Sequence, residues 1–188
     1  MKKILALVAV AGLAAAANAQ VTPQANVTNG AWYPGVVTGS GTAIGGASGW
    51  AFFIFQANAG DAITIEVDRA IGDLDPASSV VFGDASGTAF AALTGTSVFN
   101  WSGPGLSATL AGGDDDHPPA LPGPWGDPFY GFVAPSTGTY TVAVASFASQ
   151  GAPPYDMMIQ VLGSTIPTPG SMALLGLGGL AAIRRRRA

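Results

Sequence analysis

WAFFIFQANAGDAITIEVD, residues 50–68, carries the clearest indication of the fold. It begins with six consecutive apolar residues, and Asn-Ala-Gly-Asp at 58–61 then supplies a turn. Beyond the turn, Ile63, Ile65 and Val67 alternate with polar residues, which is the period of two typical of a strand with one buried face. The stretch therefore predicts two strands joined by a tight turn.

Short segments of similar strand-like sequence recur along the chain. We predict further strands at residues 31–37, 79–82, 97–101, 129–133, 139–145 and 157–162. Turns separate them, in a chain with 27 Gly and 14 Pro. No stretch between residues 20 and 165 has a helical period. Many short strands with turn-rich links predict an all-β fold, an antiparallel β-sandwich.

The body of the chain is strongly acidic. Six of the seven Lys and Arg residues lie in the two terminal segments, which leaves Arg69 against all eleven Asp and Glu, a net charge of about −10. This charge disfavours nucleic acid and anionic membranes as partners and favours cations. The absence of cysteine excludes disulfides, thiolate metal sites and cysteine nucleophiles.

The N-terminus has the layout of a secretory signal peptide. Lys2 and Lys3 precede an apolar run at 4–17, and the small residues Ala17 and Ala19 follow at the positions that a signal peptidase accommodates. We predict a signal peptide at residues 1–19, cleaved by signal peptidase. An uncleaved membrane helix is the alternative, but the run is shorter than the roughly 20 residues that a bilayer requires.

The C-terminus combines three elements in about 22 residues. A proline-rich segment ends in Pro169, Gly170 and Ser171, twelve mostly apolar residues follow, and four arginines come last: Arg184, Arg185, Arg186 and Arg187. Twelve residues make a helix of about 18 Å, shorter than the ~30 Å hydrocarbon core of a bilayer. The alternative, packing in the protein core, would strand four arginines there.

This layout resembles the PEP-CTERM sorting signal of exosortase-bearing bacteria, with Pro169, Gly170 and Ser171 in place of the usual Pro-Glu-Pro. The resemblance implies transient membrane engagement through the tail, its removal by an exosortase-like enzyme, and delivery to the cell envelope or extracellular matrix. We therefore predict three parts: signal peptide 1–19, β-sandwich body 20–165, and sorting tail 166–188 with a short hydrophobic helix.

The body resembles, more loosely, the bacterial pre-peptidase C-terminal domain. The similarity lies in short turn motifs in the same order: Ala-Gly-Asp at 59–61, Gly-Asp-Leu-Asp at 72–75, Asp-Ala-Ser-Gly at 84–87, the aspartates at 114–116, and the segment 134–140. The resemblance implies a jelly-roll-like β-sandwich with a binding role rather than a catalytic one.

Aspartates in the predicted loops are the residues best suited to bind a metal. They are Asp73, Asp75, Asp84, Asp114, Asp115 and Asp116, with Asp127 beyond them. Calcium takes about 6–8 oxygen ligands, which flexible loops with several carboxylates can supply. We predict a calcium site if the strands bring these loops to one end of the sandwich. The alternative is that the aspartates are solvated turn residues.

Catalytic motifs are absent from the sequence, so we predict that the protein is not an enzyme. The one histidine, His117, lies in a proline-rich loop, and the one glutamate, Glu66, lies in the polar phase of a strand. No Gly-x-Ser-x-Gly motif occurs, and no nucleophile has a recognisable partner. A small secreted hydrolase stays as an alternative, which would need three carboxylates or a Ser/His pair converging in a pocket.

Aromatic residues offer a different function, the binding of extracellular polysaccharide by ring stacking. The candidates are Trp32, Tyr33, Trp101, Trp125, Phe129 and Tyr130, with packing in the core or turns as the alternative. The sequence as a whole predicts an exported, non-catalytic protein of the cell surface or matrix, with a structural or adhesive role, stabilised by calcium. A polysaccharide-binding module is the second hypothesis.

Overall fold

The structure is a computed structural model, and it describes residues 19–70, 73–117, 126–147 and 152–165. Within these residues the chain forms eleven strands. They are β1 (Ala25–Asn26), β2 (Trp32–Val37), β3 (Ala51–Ala57), β4 (Ala62–Arg69), β5 (Pro76–Phe82), β6 (Thr94–Ser97), β7 (Asn100–Ser102), β8 (Thr109–Gly113), β9 (Phe129–Val133), β10 (Gly138–Ser146) and β11 (Tyr155–Leu162).

The strands form two main sheets and one small hairpin. One sheet has five strands in the order β1-β3-β10-β5-β8, the other has four in the order β2-β11-β4-β9, and β6 pairs with β7. The pairs are antiparallel apart from the two-residue parallel pairing of β1 with β3. The prediction of an all-β antiparallel sandwich is confirmed.

The main core lies between the two sheets. Phe53 and Phe55 of β3 share it with Ile63, Ile65 and Val67 of β4, and all five are at most 1% exposed. Burying a large apolar side chain contributes about 1.5–3 kcal/mol, so this alternating row of β4 anchors the four-stranded sheet on its partner. The apolar residues whose alternation predicted β4 are thus the residues that it packs into the core.

A second apolar cluster covers the outer face of the five-stranded sheet. Phe52 of β3 and Val81 of β5 point into it, and Trp50, Val98 and Trp101 close it from outside. The five-stranded sheet is therefore apolar on both faces, which explains why residues 50–55 are apolar without alternation. Two short 3₁₀ helices, Ile44–Gly49 and Phe90–Ala92, belong to this outer layer.

The prediction differs from the structure between β5 and β9. The predicted strand at 97–101 is wrong, because the chain turns there and forms the β6-β7 hairpin, with Gly95 at a φ of +124°. A Cβ on Gly95 would lie 1.9 Å from the carbonyl oxygen of Asn100, so only glycine fits this close approach. Strand β8, Thr-Leu-Ala-Gly-Gly, was not predicted, because two glycines and one large apolar residue carry little alternation.

Both terminal signals lie outside the described residues, apart from Ala19. This applies to Ala17, to the sorting motif of Pro169, Gly170 and Ser171, and to Arg184, Arg185, Arg186 and Arg187. The carbonyl oxygen of Ala19 accepts a hydrogen bond from Phe90 N at 3.0 Å. Within the described ranges, no helix is long and apolar enough to cross a membrane.

Candidate cation site

Two loops meet at one end of the five-stranded sheet. Asp75 immediately precedes β5, and Asp114 and Asp115 immediately follow β8. Because β5 and β8 are antiparallel, with Ser78 opposite Gly113, the start of one strand lies beside the end of the other. One carboxylate oxygen from each of the three aspartates lies within 4.8 Å of the others.

The three carboxylates lie in an unfavourable electrostatic environment. Asp75 is only 2% exposed. The Oδ1 atom of Asp114 is buried and has no hydrogen-bond donor among the described residues. Burial, and then the negative charges of Asp75, Asp115 and Asp116, raise the pKa of Asp114 to about 7. The group thus concentrates negative charge around the buried Asp75, with Asp115 on its exposed side.

Hydrogen bonds and two glycines shape the loop that carries Asp114 and Asp115. The backbone N–H of Asp114 donates to Asp116 Oδ2 at 2.9 Å, and that of Gly126 donates to Asp115 Oδ1 at 2.6 Å. A Cβ on Gly113 would lie 2.2 Å from Asp116 Oδ2, and one on Gly126 would lie 2.7 Å from the Cα of Asp115. Both glycines are therefore required by the way in which this loop folds back.

Asp127 is paired with the body's one basic side chain. Arg69 Nε lies 2.9 Å from Asp127 Oδ1, with both side chains buried, and the guanidinium also donates to the carbonyl oxygen of Gly126. Asp127 in turn forms two backbone hydrogen bonds with His117, at 2.9 and 3.0 Å. Asp127 thus belongs to an ion pair that holds the start of β9, outside the three-carboxylate group.

The structure brings together three of the six aspartates predicted to bind calcium: Asp75, Asp114 and Asp115. Asp116 is exposed and accepts the hydrogen bond from Asp114 N, and Asp73 is exposed on the approach to β5. Asp84 lies beyond the other end of β5, about 23 Å away for seven residues at ~3.3 Å each, and accepts the N–H of Ser86 at 2.8 Å.

The aromatic residues predicted to bind polysaccharide divide between the core and the surface. Trp101 and Tyr130 are buried, so the alternative of core packing holds for both. Tyr33 is partly buried and its hydroxyl lies 2.8 Å from that of Thr28, while Trp125 lies outside the described residues. Trp32 and Phe129 are exposed, at 39% and 41%.

An open concavity of about 440 Å³ lies in the outer layer, beside the start of the described chain. It is lined by Ala19, Ile44, Gly45, Ala47, Ser48, Phe90 and Ala91. These residues offer one hydroxyl and no acid or base to activate it. The hydrolase alternative, which needs such groups converging in a pocket, finds no support in this concavity.

Comparison with known proteins shows a shared fold. CorA, a surface-associated copper-binding protein of Methylomicrobium album BG8, matches with a TM-score of 0.50 and 13% identity over 77% of this chain and 98% of CorA. The pre-peptidase C-terminal domain of a Bacillus anthracis collagenase matches with a TM-score of 0.42 and 13% identity over 76% and 99%. It belongs to the family that the body resembles in sequence.

The secreted protein MopE of Methylococcus capsulatus matches with a TM-score of 0.45 and 12% identity, over 76% of this chain and 88% of MopE. No family model matches the sequence. No curated protein matches it either. At these identities the likeness to CorA is a likeness of fold, and the chemistry of the site rests on its own residues.

Proposed function

We propose that this is an exported, non-catalytic protein of the cell envelope or extracellular matrix, and that a calcium ion held by Asp75, Asp114 and Asp115 stabilises its β-sandwich. The observation that carries the cation site is the convergence of three carboxylates within 4.8 Å around the buried Asp75. Its role is structural, because the site joins the start of β5 to the loop after β8.

Repulsion among the carboxylates supports the cation. Three carboxylates with oxygens within 4.8 Å of one another repel strongly. The group can lower its energy either by protonating Asp114 or by binding a cation. At neutral pH a divalent cation is the more effective partner, since it also supplies the buried Oδ1 of Asp114 with a ligand bond.

The donor set favours calcium over copper. CorA, which shares the fold, is a copper-binding protein, but copper prefers imidazole and sulfur ligands, whereas carboxylate oxygens suit calcium, magnesium and manganese. The three grouped side chains here are all carboxylates. Calcium also accepts irregular geometry and completes its shell with backbone carbonyls and water, which suits a site built on two loops.

Thermal unfolding with added metal tests the site. Millimolar Ca²⁺ is expected to raise the Tm by several degrees, since a ligand at a hundredfold excess over its Kd stabilises by about 2.7 kcal/mol. Asp114→Asn should abolish the rise, whereas the matched control Asp84→Asn, at the far end of β5, should keep it. An unchanged melting curve, or an equal rise of the Tm in Asp114→Asn, would contradict the calcium proposal. A larger rise with Cu²⁺ would replace calcium with copper.

The proposed location rests on the two terminal signals in the sequence. It also accords with the surface-associated location of CorA. Cell fractionation with mass spectrometry of the mature termini tests it: the expected product begins at Gln20 and lacks the apolar run with the four arginines. A product that keeps residues 172–188 in the inner membrane would contradict the sorting proposal.

A further inference from the structure

The outer face of the four-stranded sheet carries a row of four side chains that crosses all four strands. Trp32 of β2 lies opposite Gln160 of β11, Gln160 lies opposite Glu66 of β4, and Glu66 lies opposite Phe129 of β9. All four point away from the core, because their neighbours in each strand alternate into it. The row thus has an aromatic ring at each end and two hydrogen-bonding side chains between the rings.

The size and exposure of the row suit an extended ligand. Three inter-strand spacings separate Trp32 from Phe129, about 14 Å at ~4.8 Å per strand. The two rings are 39% and 41% exposed, in contrast to the buried Trp101 and Tyr130. Two exposed rings on one sheet face, with polar groups between them, form a surface on which the apolar faces of sugar rings can stack while their edges form hydrogen bonds.

The charge of this face is negative. Its outward positions include Glu66 and Asp68 on β4 and Asp156 on β11, and the one basic residue of these four strands, Arg69, points inward. Partial burial, followed by the charges of Glu66 and Asp127, raises the pKa of Asp68, and His117 acts in the opposite direction. The acidic groups therefore repel one another, and a positively charged ligand would relieve that repulsion.

This charge argues against a second copy of the chain as the occupant. Two such faces packed against each other would bring Glu66, Asp68 and Asp156 towards the same residues of the partner, and desolvating like charges costs free energy. An anionic polysaccharide would be repelled for the same reason. The negative charge of the face favours a cationic partner, and the two exposed rings favour a partner with flat apolar surfaces.

We infer that the outer face of the four-stranded sheet binds a polysaccharide of amino sugars with free, protonated amino groups. Trp32 and Phe129 stack against sugar rings at the two ends of the row, and Glu66 accepts hydrogen bonds from an ammonium group between them. Gln160 donates through Nε2 to the carbonyl oxygen of Gly30 at 2.9 Å, which leaves its side-chain oxygen to accept from the sugar. The inference is independent of the calcium site.

Binding of a glucosamine hexamer to the immobilised full chain at about pH 6 tests the inference. The probes are the hexamer with free amines, the fully N-acetylated hexamer, and a neutral glucose hexamer. Trp32→Ala and Glu66→Gln are each expected to weaken binding of the free-amine hexamer about tenfold, which corresponds to about 1.4 kcal/mol. Asp84→Asn removes one negative charge from an exposed turn and should leave the affinity unchanged.

Selective binding of the free-amine hexamer, lost in both face variants and kept in Asp84→Asn, supports the inference. Three results would overturn it: no binding of that hexamer, equal binding of all three hexamers, or equal weakening by Asp84→Asn, which would reflect net charge alone. Both face variants should unfold cooperatively, with a loss of about 1 kcal/mol or less relative to the wild type. If either variant is unfolded, Phe129→Leu takes its place, with the same outcomes.

Discussion

Arg69 and Asp127 form a buried ion pair, with Nε and Oδ1 2.9 Å apart and side chains 0% and 1% exposed. The pair joins the end of β4 to the segment that leads into β9, and the Arg69 guanidinium also bonds the carbonyl oxygen of Gly126. Because Arg69 is the body's one Lys or Arg, Asp127 is the partner of the single basic side chain of the sandwich.

Removal of one partner of this pair is expected to be strongly destabilising. Asp127→Ala removes the carboxylate paired with the buried Arg69 guanidinium and should lower the free energy of unfolding by about 3–5 kcal/mol, measured by urea unfolding. The double variant Arg69→Met with Asp127→Leu should recover much of the loss, because apolar side chains then replace both charges of the pair. A loss below about 1 kcal/mol in Asp127→Ala would contradict the buried pair.

Without divalent cations, stability should fall as the pH rises from about 4 to about 7. The pKa of Asp114 is raised to about 7 in the folded protein, above its ordinary value of 3.8, so the folded state keeps a proton that the unfolded chain has already lost in this window. Urea unfolding in EGTA across this range measures the effect.

Asp114→Asn isolates this contribution from that of other titrating groups. The variant should show a smaller decline in stability with rising pH, and saturating Ca²⁺ should remove the decline from the wild type by holding the carboxylate in its charged form. Parallel pH profiles for the wild type and the variant in EGTA would show that Asp114 titrates normally.

Truncation of Trp101 should cost much more stability than truncation of Trp32. Trp101 is buried, donates from Nε1 to Ser79 Oγ at 2.9 Å, and meets Trp50 and Phe52 edge-on at centroid distances of 6.5 and 5.9 Å. Trp101→Ala is expected to cost about 3–5 kcal/mol, because it opens a cavity in the outer apolar cluster. Chemical unfolding measures the cost.

Trp32→Ala is the matched control for Trp101→Ala. Its ring is 39% exposed on the sheet face, so we expect a loss of about 1 kcal/mol or less. Similar losses in the two variants would show that the outer apolar cluster is not a packed layer.

Asp61 should hold the end of the described chain in a pH-dependent way. The N–H groups of Thr165 and Asn58 donate to its Oδ2 at 3.0 and 2.8 Å, and these bonds lower the pKa of Asp61. A lowered pKa contributes stability above the ordinary value near 3.8, which is lost as the pH falls through the folded value.

Asp61→Asn should therefore increase hydrogen exchange at the Thr165 amide above about pH 5, and the effect should fade as the pH falls through the lowered pKa of Asp61. NMR-detected exchange of that amide measures it. An amide exchanging at the same rate in both proteins at neutral pH would contradict a role for the carboxylate.

Most strands could be predicted from the sequence, because their signals are local. Ile63, Ile65 and Val67 alternate because one face of β4 meets the core and the other does not. Residues 50–55 were predicted correctly as a strand, but their lack of alternation has a tertiary cause: the hairpin and the two 3₁₀ helices cover the second face of the five-stranded sheet. The β6-β7 hairpin and β8 carry too little alternation to be recognised.

The all-β class, the acidity of the body and the signals predicted at its two ends follow from local properties of the chain: strand period, charge and terminal motifs. Which aspartates share a site depends on the tertiary structure. Asp75 and Asp114 are far apart in sequence and meet because β5 pairs with β8, whereas Asp84, nearer to Asp75 in sequence, is carried to the other end of the strand. Pairing between distant strands depends on the packing of the whole sandwich, and a local sequence pattern does not predict that packing.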